Sequence, residues 1–209
     1  MSKSNKNILV VLIVILVVGG LGYWMYKGIA DLPGIAVSDQ GRDHKSNEEN
    51  ANFVYNSNPP TSGPHNADWI RAGVYASPQD KYKLIHSLEH GYIVVHYNCA
   101  RPISNFQFPI FNQFSMIQIA KAHEDEGDAD KDSTPSAEIK TECALGKMLA
   151  DFGTKMGMKK LIVTPDETIK FPVVMTAWNR ILEMPNFDEK LATKFVKSFR
   201  DKGPELTME

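Results

Sequence analysis

Four of the chain's six histidines fall within residues 58–97, and this stretch is the densest group of side chains able to bind metals or move protons. His86, Glu89 and His90 form an H-x-x-E-H pattern, which places both imidazoles on one face of a helix. Two such imidazoles can bind one metal ion, and the glutamate can act as a base toward a bound water. The pattern indicates a metal site or, alternatively, a zinc-dependent hydrolase or lyase.

A metal ion on this helix needs at least one more ligand from elsewhere in the chain. His65 is the best candidate, because the run Asn58-Pro-Pro-Thr-Ser-Gly-Pro-His65 predicts a bent, stiff loop that can hold an imidazole in place. His96 is the next candidate, although a strand histidine can equally be buried and hydrogen-bonded to a carbonyl group. The predicted metal ligands are His65, His86, His90 and Glu89.

The sequence leaves alternatives both for the metal that binds and for the function of the site. Histidine ligands suit zinc, and a nearby methionine such as Met175 would suit copper as well. Binding is favoured over catalysis, because the chain has neither the distant glutamate of large zinc peptidases nor a cysteine to spare for the chemistry of small zinc lyases. The alternative is a hydrogen-bonded polar knot of the same side chains. The domain would then be a structural or assembly module of a membrane complex without a metal.

An apolar run near the N-terminus is long enough to cross a bilayer. Residues 8–26 carry no charge, follow Lys3 and Lys6, and end with two tyrosines and a tryptophan. A cleaved signal peptide is the alternative, but the run is longer than a signal core and no small-x-small cleavage motif follows it directly. We predict a cytoplasmic tail at 1–7, a single-pass membrane anchor at 8–26 and the rest of the chain outside the cytoplasm.

The remaining composition indicates one ordinary domain. A formal net charge of -2 and a pI near 6.3 give no reason to expect binding to nucleic acid. Residues 27–51 are polar and are predicted to be a linker, in which His44 is expected to be solvated. Residues 52–205 are predicted to form the extracytoplasmic domain. Within it, the acidic stretch 123–142 indicates a solvated loop rather than a calcium site.

The periodicity of the domain predicts alternating helices and strands. Ser77 as N-cap, Pro78 at the first helical position and Gly91 as the stop delimit the histidine helix. The predicted helices are 78–90, 143–156 and 187–200, and the predicted strands are 92–98, 161–163 and 169–178, with the last two antiparallel. This order fits a two-layer α/β domain, and a thioredoxin-like domain would share it. Pro78-Gln79-Asp80 stands where such a domain would carry its cysteines, so thiol chemistry is not expected.

Cys99 and Cys143 are the two cysteines of the chain. In an oxidising compartment an even number of cysteines favours a disulfide over two buried thiols. A redox centre is less favoured, because no Cys-x-x-Cys motif is present. We therefore predict a structural disulfide between them.

Several short, uncommon segments of the sequence resemble the motifs of one family. They are Asn58-Pro-Pro-Thr-Ser-Gly-Pro-His65, Gly73-Val74-Tyr75, His86-Ser-Leu-Glu-His-Gly91, Thr176-Ala177-Trp178, and Arg200 with Gly203-Pro204-Glu205. Together they resemble the domain of unknown function 3105 family of bacterial membrane-anchored or exported proteins, over about residues 52 to 205. The resemblance implies one domain outside the membrane, with the proline loop and the His-Glu-His helix as its signature. It implies no established activity.

Overall fold

A computed structural model describes residues 3–101, 143–205 and 207. Helix α1, Lys3–Ala30, contains the predicted membrane anchor. Within the described residues, its segment Val11–Gly28 is the one stretch of helix long and apolar enough to cross a membrane, and its apolar side chains are exposed. The acidic stretch 123–142 lies outside the described residues.

The other elements form one mixed sheet with helices. In chain order they are β1 Ile35–Ala36, α2 Asn47–Ala51, β2 Gly73–Val74, α3 Lys81–Glu89, β3 Ile93–Tyr97, α4 Ala144–Lys155, β4 Leu161–Pro165, β5 Val173–Ala177, β6 Arg180–Met184 and α5 Glu189–Phe199. The described strands are ordered β1-β6-β5-β3-β4-β2. Strands β3, β4 and β2 run parallel, whereas β5 is antiparallel to β3 and to β6. The predicted α/β class is confirmed.

Helices cover both faces of the sheet, so the prediction of two layers was wrong. Alternate residues of β3 enter different cores, as the predicted alternation of residues 92–98 requires. Ile93 and Val95 pack with residues of α4 and α5, such as Leu149 and Phe195. On the other face, Val94 packs with two leucines of α3. Among the described residues the domain therefore has three layers, with α3 on one side of the central strands and α4 and α5 on the other.

The predicted strands 161–163 and 169–178 run antiparallel, as predicted, but they are not neighbours in the sheet. Strand β3 lies between β4 and β5, pairing in parallel with β4 and antiparallel with β5. The true hairpin is β5–β6, turning at Asn179, which has a φ of 55°. β6 has no counterpart among the predicted elements. Parallel strands need a long crossover connection, which here includes α4, whereas a short-range sequence pattern favours pairing of strands that follow each other in the chain.

Much of the predicted linker 27–51 belongs to the folded domain. Ile35–Ala36 pairs with β6 at the edge of the sheet. Residues 41–45 run parallel to the proline loop, because His65 N–H donates to the Asp43 carbonyl and Lys45 N–H donates to the His65 carbonyl, at 2.9 and 2.8 Å. Such pairing between distant segments leaves no local pattern in a polar sequence. The segment therefore builds one wall of the site described below.

Helix α3 begins later than the sequence suggests. Its N-cap is Asp80, whose Oδ1 accepts from the N–H groups of Tyr82 and Lys83 at 2.8 and 3.4 Å. The predicted N-cap, Ser77, instead lies in the preceding turn, where its carbonyl accepts from Gln79 Nε2. A carboxylate also interacts favourably with the positive end of the helix dipole, which a hydroxyl does less well.

Replacing Asp80 with alanine is expected to lower the free energy of unfolding by about 1 kcal/mol, because two N–H groups lose their acceptor. Ser77→Ala is the matched control and is expected to change stability by less than about 0.5 kcal/mol. Urea unfolding of the full chain, followed by circular dichroism, measures both. Equal losses in the two variants would contradict the assignment of the cap.

Candidate metal centre

Three segments meet around the last turn of α3. This turn carries His86 and Glu89, and His90 is the C-cap. The proline loop brings His65, which is fully buried, and residues 41–45 lie beside the loop as described above. Gly63 allows the loop to turn, since its φ of 114° is one that other residues rarely adopt and a Cβ there would lie 3.0 Å from the Tyr55 ring. The loop therefore delivers His65 into a closed space against the helix.

The His65 ring is oriented by backbone on one side and faces a carboxylate on the other. Its Nδ1 lies 2.8 Å from the Gly63 carbonyl, so this nitrogen carries the proton and donates. Its Nε2 lies 3.0 Å from Glu89 Oε2. Burial lowers the pKa of His65, although the Gly63 carbonyl and the Glu89 carboxylate act in the opposite direction. A neutral His65 therefore directs a lone pair at Glu89.

The His86 ring repeats this arrangement. Its Nδ1 lies 2.9 Å from the Asn66 carbonyl and donates to it. Its Nε2 is left facing His90 Nε2, at 3.0 Å. Ser87 secures the same loop against α3, because its hydroxyl bonds both the N–H and the carbonyl of Ile70. Metal-binding histidines commonly donate the distal ring N–H to a carbonyl in this way, which fixes both tautomer and orientation.

Glu89 is the charged centre of the site. The residue is only 2 % exposed, and no lysine or arginine lies closer to its carboxylate than Arg42 Nη1, 3.7 Å from Oε1, among the described residues. His44 Nε2 lies 3.6 Å from Oε2, and the His44 side chain is 46 % exposed. A buried carboxylate is stable only when a cation, a proton or several donors compensate it. The site therefore has a strong preference for positive charge.

The four predicted ligands divide into two overlapping groups. Ligand atoms of His44, His65, His86 and Glu89 all lie within 4.8 Å of one another, and so do those of His86, His90 and Glu205. We call these the inner group and the outer group. The structure thus places His65, His86 and Glu89 together as predicted, whereas His90 joins them only through His86. The inner group is built around the buried carboxylate.

His44 was missed because the sequence places it in the predicted linker. Its ring stacks on that of His86, with centroids 4.7 Å apart, and its side chain remains 46 % exposed. The prediction that His44 is a solvated linker residue was therefore wrong, because its ring belongs to the site even though it is partly exposed. No local pattern marks residues 41–45 as part of the site, because their backbone pairs with the proline loop only in the folded chain.

Glu205 was also missed, and it is brought in by a C-terminal strap, residues 201–205. Glu205 N–H donates to the Glu89 carbonyl at 3.1 Å, and its Oε2 lies 3.5 Å from His90 Nε2. Gly203 makes the crossing possible, since a Cβ there would lie 2.0 Å from the Glu89 carbonyl oxygen. Buried Lys160 also holds this region, donating to the His90 carbonyl at 2.9 Å. The strap closes the outer group.

Two other residues considered from the sequence lie elsewhere. Met175 packs in the core on the opposite face of the sheet, with residues of α4 and α5, and so cannot reach the histidine helix. His96 Nδ1 lies 3.2 Å from Asp166 Oδ2, and its Nε2 lies 3.3 Å from Thr176 Oγ1. His96 is therefore part of a separate buried cluster.

The Asp166 carboxylate is expected to make stability depend on acid pH. Burial raises its pKa, but bonds from His96 and Thr168 outweigh this and lower the pKa to about 2. A group whose pKa is depressed on folding stabilises the fold above its unfolded value, and that contribution is lost as pH falls from about 5 to 2. The expected loss is about 2 kcal/mol.

Comparing wild type with Asp166→Asn isolates this contribution. The variant is expected to be less stable at pH 7, and the difference should shrink as pH falls through the stated range. Chemical unfolding at several pH values measures it. A difference that stays constant from pH 5 to 2 would contradict the assignment.

Comparisons with known proteins place the chain by its sequence. No curated protein and no solved structure matches it. One family model, described as a protein of unknown function (DUF3105), matches residues 45–107 and 138–209. The match includes His65, His86, Glu89 and Glu205, whereas His44 falls just before its first residue. The chain therefore belongs to the DUF3105 family.

Proposed function

We propose that this protein is a membrane-anchored metal-binding protein whose domain lies outside the cytoplasm. The inner group, His44, His65, His86 and Glu89, would bind one divalent ion, zinc or copper(II). The observation that carries the proposal is the orientation of two imidazoles. Both His65 and His86 give their Nδ1 protons to backbone carbonyls, which leaves each Nε2 with a lone pair; His65 Nε2 faces Glu89, and His86 Nε2 faces His90.

The His65–Glu89 contact supports a cation between the two side chains. A lone pair and a carboxylate oxygen at 3.0 Å repel each other unless positive charge is shared between them. Donor atoms around one tetrahedral ion, each at about 2.0–2.2 Å, lie roughly 3.3 Å apart, which is close to this separation. An ion also compensates the buried charge of Glu89 more fully than Arg42, which is more than half exposed.

The donor set favours zinc or copper(II) over copper(I). It consists of imidazole nitrogens and a carboxylate, which suit both divalent ions. Copper(I) prefers sulfur ligands, and Met175, the methionine considered for that role, packs on the other face of the sheet. Copper(II) is expected to bind more tightly than zinc at the same ligands.

Binding is a better proposal than hydrolysis. In an H-x-x-E-H enzyme the glutamate accepts a proton from the metal-bound water. Here Glu89 Oε2 lies in contact with His65 Nε2, so the carboxylate is placed among the ligands rather than beside an open coordination position. The alternative is a structural or assembly module without a metal. In it, the same side chains are hydrogen-bonded to one another and a shared proton takes the place of the ion.

We also propose a thioredoxin-like fold for the domain and a membrane anchor for its N-terminus. Strands β3 and β4 with α4 between them, followed by the β5–β6 hairpin and α5, support a thioredoxin-like arrangement. Helix α4, inside the crossover, begins at Cys143 without a second cysteine in its first turn, which disfavours thiol redox chemistry. Helix α1 would anchor the protein, with the lysines that precede the apolar run on the cytoplasmic side.

The test is metal-dependent stability of the full chain in detergent micelles, purified without chelator. We expect about one equivalent of zinc or copper(II) per chain. Metal at a hundred times its dissociation constant should stabilise the fold by about 2.7 kcal/mol over protein with chelator. Magnesium is the control and should have no effect, because it prefers oxygen ligands in octahedral geometry.

Tryptophan fluorescence provides a second readout. The Trp178 ring lies 6.4 Å from that of His65, and the Trp69 ring lies 5.8 Å from that of His86, centroid to centroid. Copper(II) at the inner group should therefore quench much of the emission. Stability and emission that do not change with zinc, copper(II) or chelator would overturn the metal proposal and leave the polar knot.

A further inference from the structure

A second polar site lies in a cavity that the metal proposal does not use. The cavity has a volume of about 200 Å³ and lies against the carboxyl ends of the parallel strands β3 and β4. Its polar lining includes His96, Thr164, Asp166, Thr176 and Lys81. None of the residues of the inner or outer group lines it. Ligands of open α/β sheets commonly bind at this edge.

The His96 imidazole lines the cavity and lies beside the Asp166 carboxylate, which already accepts hydrogen bonds from other groups. Asp166 Oδ1 accepts from the Thr168 N–H at 2.9 Å and from the Thr168 hydroxyl at 2.7 Å. Oδ2 lies 3.2 Å from His96 Nδ1. Two donors of Thr168 and the His96 ring therefore already contact this carboxylate. Asp166 thus acts as a positioning residue for His96 rather than as a receptor for a ligand.

Several polar groups of the lining remain to bind a ligand. His96 is 3 % exposed and turns its Nε2 toward Thr176 Oγ1, at 3.3 Å, so that a ligand group bound here would lie beside both atoms. Lys81, the first residue of α3, also belongs to the lining, and its ammonium group lies 5.0 Å from the centroid of the Tyr82 ring. The N–H groups of the first turn contribute little, because Asp80 already accepts from two of them. A ligand carrying a negative charge would satisfy these donors.

The apolar part of the lining is stiff, because most of its residues are prolines. It consists of Pro59, Pro60, Pro78, Leu84, Leu88 and Pro165. An engineered cavity of about 150 Å³ holds a benzene molecule, so the volume here suits a ring of that size with one small polar group. Prolines lose little conformational freedom when a ligand packs against them.

We propose that this cavity is a binding site for a small organic carboxylate, with the carboxylate on His96, Thr176 and Lys81 and an apolar body against the prolines and leucines. This site is separate from the proposed metal centre, and neither depends on the other. It also accounts for the Asn58-Pro59-Pro60 and Thr176 parts of the sequence motifs, which the histidine cluster leaves unexplained.

The test uses benzoate as the probe and the full chain in lipid nanodiscs, with empty nanodiscs as the blank. Calorimetric titration at pH 7 compares benzoate with neutral benzamide and cationic benzylamine, which have similar shape. Benzoate is expected to bind about tenfold more tightly than either, as a charge-assisted hydrogen bond requires. Equal binding of benzoate and benzamide, or tighter binding of benzylamine, would overturn the proposal.

Variants locate the binding within the chain. Lys81→Gln changes an exposed residue and should weaken benzoate binding about threefold to tenfold. Thr176→Val preserves side-chain shape and should also weaken it, with benzamide affected less. Lys190→Gln, an exposed lysine on α5, is the matched control and should leave the affinity unchanged. Equal affinity in the wild type, Lys81→Gln and Thr176→Val would place benzoate elsewhere and contradict the site.

Discussion

Replacing His86 with alanine is expected to weaken zinc and copper(II) binding by at least about a hundredfold, because His86 belongs to both the inner and the outer group. Structural zinc sites gain about 10–16 kcal/mol from four ligands, so one ligand accounts for roughly 3 kcal/mol, or about two orders of magnitude in affinity. Competition titration against a chelating dye measures the change in the full chain.

Single variants of the other histidines identify which group binds the ion. His44→Ala removes a ligand of the inner group alone, and His90→Ala removes one of the outer group alone. If the inner group binds, His44→Ala should weaken the metal far more than His90→Ala. Because the His44 side chain is nearly half exposed, this variant is expected to fold normally.

The matched control for the helix is Lys83→Ala, which lies three residues before His86 and outside both groups. Its ammonium pairs with Asp68 at 2.9 Å, on an exposed surface. It should retain wild-type affinity. Circular dichroism checks that all variants keep their helix content. A His86→Ala protein that is folded and binds metal as tightly as the wild type would remove both groups from consideration.

Removing the disulfide is expected to lower the free energy of unfolding by about 4 kcal/mol. The bond closes a loop between residues separated by 44 positions, which restricts the unfolded chain. Cys99 and Cys143 are bonded in the structure and are separated by 44 residues in sequence, which confirms the predicted pair. The double variant Cys99→Ser with Cys143→Ser is the appropriate test. Cys143 is also the N-cap of α4, where its sulfur accepts from the Gly146 N–H at 3.4 Å, and serine can retain that role.

Urea unfolding of the full chain measures this loss, with the wild type under oxidising and reducing conditions as the matched comparison. Reduced wild type and the double serine variant should have similar midpoints, both below the oxidised protein. A loss of less than about 1 kcal/mol in the double variant would show that the loop is already constrained when the bond is absent.

The sequence alone identified the elements with strong local signals. The apolar run at residues 8–26, the alternation of residues 92–98 and the helical spacing of residues 143–156 each correspond to an element of the structure. It also paired the cysteines and brought His65 to the face of the helix that carries His86 and Glu89. These features depend on composition, on short-range periodicity and on the rigidity of a proline loop, all of which can be read from neighbouring residues.

Only the tertiary structure decided how the site at His86 and Glu89 is completed. His44 reaches it through backbone pairing between residues 41–45 and the proline loop, and Glu205 through a strap that crosses where Gly203 has no Cβ. The fold likewise separated His96 from the histidine helix and joined it to Asp166. Each of these contacts joins segments that are distant in the chain. Their stability comes from packing and long-range hydrogen bonds, which leave no periodic pattern in the sequence. The proline loop and the His-Glu-His helix form the centre of the site, and folding brings His44 and Glu205 beside it.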